Sequence, residues 1–349
     1  MEKNTQVERI HLKRVELSSN EDVYDITVRK NHNFFANGLL IHNCCEVSLE
    51  PFSFCNLTEI NASDVESQVD LNNRARAGSF IGTLQAAYTD FHYLRPIWKE
   101  TTEKDALIGV SFTGIASNKL KPLNLQEAAE NVKSENERIA GIININKAKR
   151  TTVLKPAGST SCVVGSSSGI HAWHNDYYIR RMRVGKTEAL YKYLKDKIPD
   201  LIEDCKFKPH LESVLSLPQK APEGSILRFE RVTTFLNRVK RYNIEWIRNG
   251  HREGDNYNNV SCTVSIKNNE WELVGEWMWK NRDDYTGISI LPYNDHTYVQ
   301  APFEDCSEEE YHRMMALCKD IDLSQVIESD DHTSHNEIVA CAGGACEIK

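Results

Sequence analysis

The sequence predicts an α/β fold over most of its 349 residues, and three observations carry that prediction. Downstream of Cys44, short apolar runs such as DALIGVSFTGI, TSCVVGSS, NNVSCTVSI and TGISILPY read as strands. Longer segments with apolar residues at three- and four-residue steps lie between them and read as helices. Strands that alternate with helices predict a parallel sheet. Upstream of Cys44 the texture differs, and residues 1–43 read as a small all-β unit.

In that first unit RIHLKRVEL, VYDITV and GLLIH are alternating or β-rich, with SSNED and KNHNFFANG as the turns between them. About 40 residues are too few to bury a core alone, so the unit needs a partner. Residues from about 64 to 100 read as helical, and NLQEAAENVKSENERIAGIININKAKR as a second helix. Further helices fit KTEALYKYLKDKI, RFERVTTFLNRVKRYNIEWIRN, NEWELVGEWMWKN and SEEEYHRMMALCKDI. The last stretch, ESDDHTSHNEIVACAGGACEIK, is polar and glycine-containing and reads as a mobile tail. The domains expected are therefore 1–43, 44–328 and 329–349.

With 40% hydrophobic and 26% charged residues the balance is that of a globular protein. A net charge of -8 argues against a large nucleic-acid footprint. No apolar run reaches the roughly 18 residues of a membrane span, and the N-terminus has no apolar signal core, so the cytoplasm is the default location. Ten cysteines in a reducing compartment read as catalysts or metal ligands rather than as a disulfide framework.

Two chemistries meet at the Asn43–Cys44 bond. An asparagine side chain can attack its own backbone carbonyl and cut the chain after Asn43. The His42 imidazole can assist as acid or base, and a thiol at Cys44 can accept an acyl group. As a tripeptide this is equally a turn. Downstream, Cys44 and Glu46 are two apart and point the same way on an extended segment, and Cys55 follows eleven residues after Cys44. A thiol beside a carboxylate suits chemistry at one atom with proton removal at the next, but a buried cysteine cluster fits the spacing as well.

The longer stretches decide between these readings. VYDITVRKNHNFFANGLLIHNC resembles the C-terminal end of inteins. That resemblance implies half of a Hedgehog/intein fold, with Asn43 as the cyclising residue, His42 and His32 as assistants, Asp25 as the aspartate of the YDITV strand, and Cys44 as the acyl acceptor. Residues 1–43 contain neither a first-junction nucleophile nor a Thr-x-x-His block, so the resemblance implies a split intein that splices in trans with an N-terminal polypeptide.

CCEVSLEPFSFCNLTEIN resembles the active-site loop of ribonucleotide reductases. LKPAGSTSCVVGSSSGIHAWHNDYYIRR, GISILPY, YVQAPFE and ACAGGACE are similar to the adenosylcobalamin-dependent class in its single-chain triphosphate-reductase form. This resemblance spans residues 44–349 and implies the C-terminal part of a ten-stranded α/β barrel. It implies a thiyl radical on Cys44, Glu46 as the acceptor of the ribose 3′-hydroxyl proton, and Cys55 as half of a reducing dithiol whose other half lies in the missing upstream part. Cys341 and Cys346 become the tail dithiol, served by a thioredoxin-like reductant. Pro156, Ala157, Gly158, Ser159, Thr160 and Ser161 become the loop for the ribonucleotide phosphates. Whether the substrate is a di- or triphosphate stays open.

The pattern departs from the family at Cys45, where glycine is usual, and at His42-Asn43, where Asn-Pro is usual; splicing would restore the latter. Cys162, Cys205, Cys262, Cys306 and Cys318 read as packing residues, and His171 and His174 as hydrogen-bonded structural histidines. Three alternatives compete. They are a zinc site of His332, His335, Cys341 and Cys346, a splicing partner with a degenerate extein, and a reductase class served by a separate radical-generating subunit. A half barrel alone leaves an open sheet edge and predicts poor solubility or dimerisation.

Overall fold

The computed structural model describes residues 46–254, 256–293 and 298–327, together with the backbone of two strands further upstream. Those strands are β1 (Asn33–Ala36) and β2 (Leu39–His42), an antiparallel hairpin in which Ala36 pairs with Leu39. The register leaves a two-residue connection, and the two residues are Asn37 and Gly38, a pair favoured in tight hairpins. KNHNFFANG is therefore not all turn: its NFFA segment is a strand. His42 is described only as the end of β2. Asp25, His32, Asn43, Cys44, Cys341 and Cys346, and the histidines of the tail, lie outside the described residues.

Downstream, five passes of chain run parallel and in sequence order. β3 (Asn56–Asn61) pairs with β4 (Ile108–Thr113) over its full length. Helices α1 (Gln68–Ala86) and α2 (Pro96–Asp105) connect the two. After α3 (Leu125–Ile143), residues 150–154 line up beside β4 through Val110↔Thr152. Leu154 then bridges Val260 in parallel, leading into β8 (Thr263–Ile266), which pairs with β9 (Ser289–Pro292). Between 154 and 260 lie α4 (Ser159–Val163), α6 (Val232–Tyr242) and an excursion that forms a separate sheet. α7 (Trp271–Lys280) joins β8 to β9.

One face of the parallel array is the main core. Ile60, Ile108, Val110, Phe112, Leu154 and Val260 pack against Leu71, Val132, Leu236 and Trp246 of the helical layer and the turn that follows α6. Trp246 is fully buried and its indole N–H lies between the Val110 and Val153 carbonyls, at 3.3 and 3.2 Å. α1 approaches the sheet through glycines: a Cβ at Gly78 would come within 3.0 Å of Val110. Its buried hydroxyls are satisfied, Ser79 donating to the Val132 carbonyl at 2.7 Å.

The excursion is antiparallel, which corrects the expectation of parallel strands throughout. β5 (Tyr177–Gly185), β6 (Ile202–Asp204) and β7 (Glu212–Lys220) join β10 (Phe303–Asp305) in the order β10-β5-β7-β6. α5 (Ala189–Lys197) and α8 (Glu308–Leu317) contribute to a second, smaller core with Leu194, Leu215 and Met314. The TSCVVGSS run is helix and loop rather than strand, because Thr160 to Val163 belong to α4. Among the described residues β3 pairs only with β4 and β9 only with β8, so the parallel array has two uncovered edges.

Candidate active site

The opposite face of the parallel array carries the candidate site. Thr58 and Ile60 face the glycines of α1, so with a period of two Leu57 and Glu59 face away from the helices. Leu57, Gly109 and Val153 meet there, since a Cβ at Gly109 would lie 2.5 Å from Leu57 Cδ2 and 2.9 Å from Val153 Cγ1. Lys155 ends the third pass on the same face, two residues beyond Val153, and its backbone N–H donates to Ser111 Oγ at 3.3 Å. Leu57, Thr58, Glu59, Lys155 and Thr160 line an open cleft of about 240 Å³.

The segment after the junction is stitched along this array. The Glu46 carbonyl accepts from the Asn259 N–H at 3.1 Å. The Ser48 N–H donates to Asn258 Oδ1 at 3.2 Å, and its hydroxyl donates to the Tyr257 carbonyl at 2.7 Å. The Glu46 carboxylate, with a side chain 41% exposed, stands 3.8 Å from the Lys155 ammonium, itself 28% exposed. Glu59 shares that neighbourhood. Burial pushes its carboxyl above the usual range; the Thr160 hydroxyl and the Lys155 ammonium oppose that, and the Glu46 charge adds to it. Glu46, Glu59, Lys155 and Thr160 are thus brought together.

Pro156–Ser161 follow Lys155 directly. The Ala157 N–H donates to Ser168 Oγ at 2.9 Å, and the buried Ser161 hydroxyl turns back to the Ala157 and Gly158 carbonyls at 2.7 and 2.8 Å. Ser159 and Thr160 are exposed, so their hydroxyls are the ones free to meet a ligand. Gly169 crosses beneath the loop at φ +53°, where a Cβ would fall 2.5 Å from the Lys155 carbonyl oxygen; only glycine fits. His171 supports the same loop: its Nε2 accepts from the Thr263 N–H at 3.1 Å and its Nδ1 lies 3.2 Å from the Ser168 carbonyl. His174 stacks on Phe303, and its Nε2 lies 3.2 Å from Asp305.

Cys55 is not part of this cluster. It precedes β3 at the opposite end of the array, near Arg150, which begins the same pass that Lys155 ends. Five residues of strand separate the two cations, roughly 16 Å. The protein around Cys55 pushes its thiol up to about 12, with the Arg150 guanidinium opposing. Glu59 and Lys155 were not singled out by motif. Glu59 is a charge in mid-strand in the same alternation as Cys55, and Lys155 adjoins PAGSTS, which are the signals that mark them. Among the described residues no helix is long and apolar enough to cross a membrane.

No family model matches the chain. It is nevertheless similar to curated adenosylcobalamin-dependent ribonucleoside-triphosphate reductases over most of its length. The protein of Dictyostelium discoideum named as a probable member of that group is 26% identical over 339 residues, covering 87% of this chain and 40% of its own. The enzyme of Lactobacillus acidophilus is 24% identical and that of Euglena gracilis 26%, covering 88% and 87% of this chain and 45% and 41% of theirs. The chain spans less than half the length of these relatives. A crystal structure described as a B-12 dependent (class II) ribonucleotide reductase superposes with a TM-score of 0.64 at 18% identity, over 79% of this chain and 42% of that one, and shows the likeness of fold.

Proposed function

We propose that residues 44–349 are the C-terminal part of an adenosylcobalamin-dependent ribonucleotide reductase. We also propose that residues 1–43 are the split-intein fragment that joins it to an N-terminal polypeptide. The observation that carries the reductase reading is the Glu46 carboxylate beside Lys155 and the PAGSTS loop, with the segment between Glu46 and Cys55 anchored across the array. Residues 44–349 are 306 of the 349 and make up the same share of the chain that the relatives match, which supports a boundary at Cys44. The splicing half rests on the sequence resemblance alone. The missing upstream portion of the relatives is the proposed source of the remaining barrel strands, and the uncovered edge of β3 suits such pairing.

In the assembled enzyme a thiyl on Cys44 takes the 3′-hydrogen atom of a ribonucleotide, and Glu46 takes the 3′-hydroxyl proton. The 2′-hydroxyl leaves as water. Cys55 and its upstream partner thiol supply two electrons and close a disulfide, which Cys341 and Cys346 reopen by exchange. A thioredoxin-like dithiol then reduces the tail. Ser159 and Thr160 hold the substrate phosphates, and the field of Lys155 favours the anion. The cofactor is carried over from the relatives' names, and it supplies the radical chemistry when bound. The cleft of about 240 Å³ is smaller than the pockets of drug-sized ligands and does not fit a corrin, so no step here runs through that group.

Intact-mass analysis after mixing this chain with an N-terminal partner carrying the missing intein half tests the splicing. A product equal to the upstream extein plus residues 44–349, lost on Asn43→Ala, is expected. Cleavage after Asn43 without ligation contradicts it.

A further inference from the structure

Glu59 and Lys155 belong to no role assigned above beyond a general field, yet both face the same cleft as Glu46. We propose that Lys155 is a positioning residue that holds the Glu46 carboxylate ionised and aimed at the substrate, against the repulsion of the second carboxylate, Glu59, on the same ammonium. The functional weight of this inference rests on the proposed role of Glu46 as proton acceptor.

The geometry is specific. Lys155 is fixed at its backbone by Ser111 and by the crossing of Gly169, so its side chain leaves the strand end at a defined place. Its ammonium lies 3.8 Å from Glu46 Oε2. Glu59 projects into the cleft from β3 and feels both the ammonium and the Glu46 charge. One cation between two carboxylates leaves a net charge of -1, and the carboxylate further from the ammonium is the one that holds a proton more readily. Burial already pushes Glu59 in that direction.

Among the described residues, the groups facing Glu46 are few. Lys155 comes from the third pass, Glu59 from β3 and the Thr160 hydroxyl from α4. The segment packed on the Glu46 backbone contributes Tyr257, Asn258 and Asn259, and Arg150 binds the Ser48 carbonyl nearby. Lys155 is the cation of this set that reaches the carboxylate itself.

The test is a carboxyl-carbon NMR titration of the full chain labelled at glutamate, with Glu46 and Glu59 assigned through Glu46→Gln and Glu59→Gln. Lys155→Met is expected to raise the Glu46 midpoint by about one pH unit, the size of losing a nearby opposite charge at a half-exposed site. Lys155→Arg keeps the wild-type midpoint, and Lys155→Met combined with Glu59→Gln returns it toward wild type. Lys155→Gln replaces the methionine variant if that one fails to fold by circular dichroism. An unmoved midpoint in the single variant, or the same rise in the double variant, overturns the proposal. In the spliced enzyme the acid limb of the kcat profile moves with the titration. Reductase inactivity together with the expected titration would instead sink the reading of Glu46 as base and leave the positioning intact.

Discussion

The Arg150 guanidinium donates to the Ser48 carbonyl at 2.7 Å and at the same time lies close enough to Cys55 to bias its ionisation. One buried cation therefore holds the segment that carries Glu46 and attends the thiol at its far end. The anchorage links the two ends of a loop whose sequence offers no regular structure of its own.

That relationship makes Cys55 a slow nucleophile. With its thiol pushed up to about 12, little thiolate exists at pH 8. Alkylation of Cys55 by iodoacetamide, followed by peptide mass mapping, is expected to run on the order of a hundredfold slower than for an exposed cysteine. Arg150→Met slows it further, because it removes the influence that lowers the pKa. Alkylation of Cys55 at the rate of a free thiol would contradict the environment described.

His171 sets an acid limit on stability. Burial depresses its imidazole from 6.5 to about 4, with Arg238 adding to the effect and the Ser168 carbonyl opposing it. A depressed folded pKa means that the neutral ring stabilises the fold fully above about pH 6.5. That contribution, up to about 3 kcal/mol, is lost as pH falls toward 4. Urea midpoints between pH 7 and 4 should fall more steeply for wild type than for His171→Gln.

Trp246 is the central packing residue of the larger core, lying 4.4 Å from Phe112 by ring centroids and donating between two strand carbonyls. Trp246→Ala is expected to cost about 3–5 kcal/mol in urea unfolding, and Trp246→Phe clearly less.

Two glycines separate crowding from propensity. Gly109→Ala forces a methyl against Leu57 and Val153 on the face of the candidate site, and should cost about 1–3 kcal/mol and weaken nucleotide binding. Gly141→Ala in α3 meets nothing within 4 Å and should stabilise by about 0.5–1 kcal/mol. Equilibrium unfolding and nucleotide titration of both variants check this.

Much of the parallel array is legible in the sequence because its strands are buried runs flanked by strongly periodic helices. DALIGVSFTGI contains β4, TGISILPY contains β9, and NLQEAAENVKSENERIAGII contains α3 with Asn124 as its cap. The helical stretch expected from about 64 to 100 divides into α1 and α2, and Pro96 opens the second helix where proline is tolerated. The antiparallel sheet escapes notice because β5, YYIRRMRVG, is rich in arginine and β7 contains Pro218. That proline lies beyond the Ser213–Leu215 stretch that β6 covers. TSCVVGSS misleads because valines suggest a strand, whereas Gly158 and the serine hydroxyls close a helical turn. Glu46, Cys55 and the PAGSTS loop can be picked out by motif. Their separation into two ends of one array cannot, because it depends on pairings between segments a hundred and more residues apart.

The most direct test of the central claim uses the chain ligated to its N-terminal partner, supplied with adenosylcobalamin, a dithiol reductant and a ribonucleoside triphosphate, with no second protein subunit. Formation of the 2′-deoxyribonucleotide, abolished by Cys44→Ser and strongly reduced by Glu46→Gln, is the predicted result. A correctly ligated, folded product that binds the nucleotide yet forms no deoxyribonucleotide, or one that does so unchanged after Cys44→Ser, would contradict it.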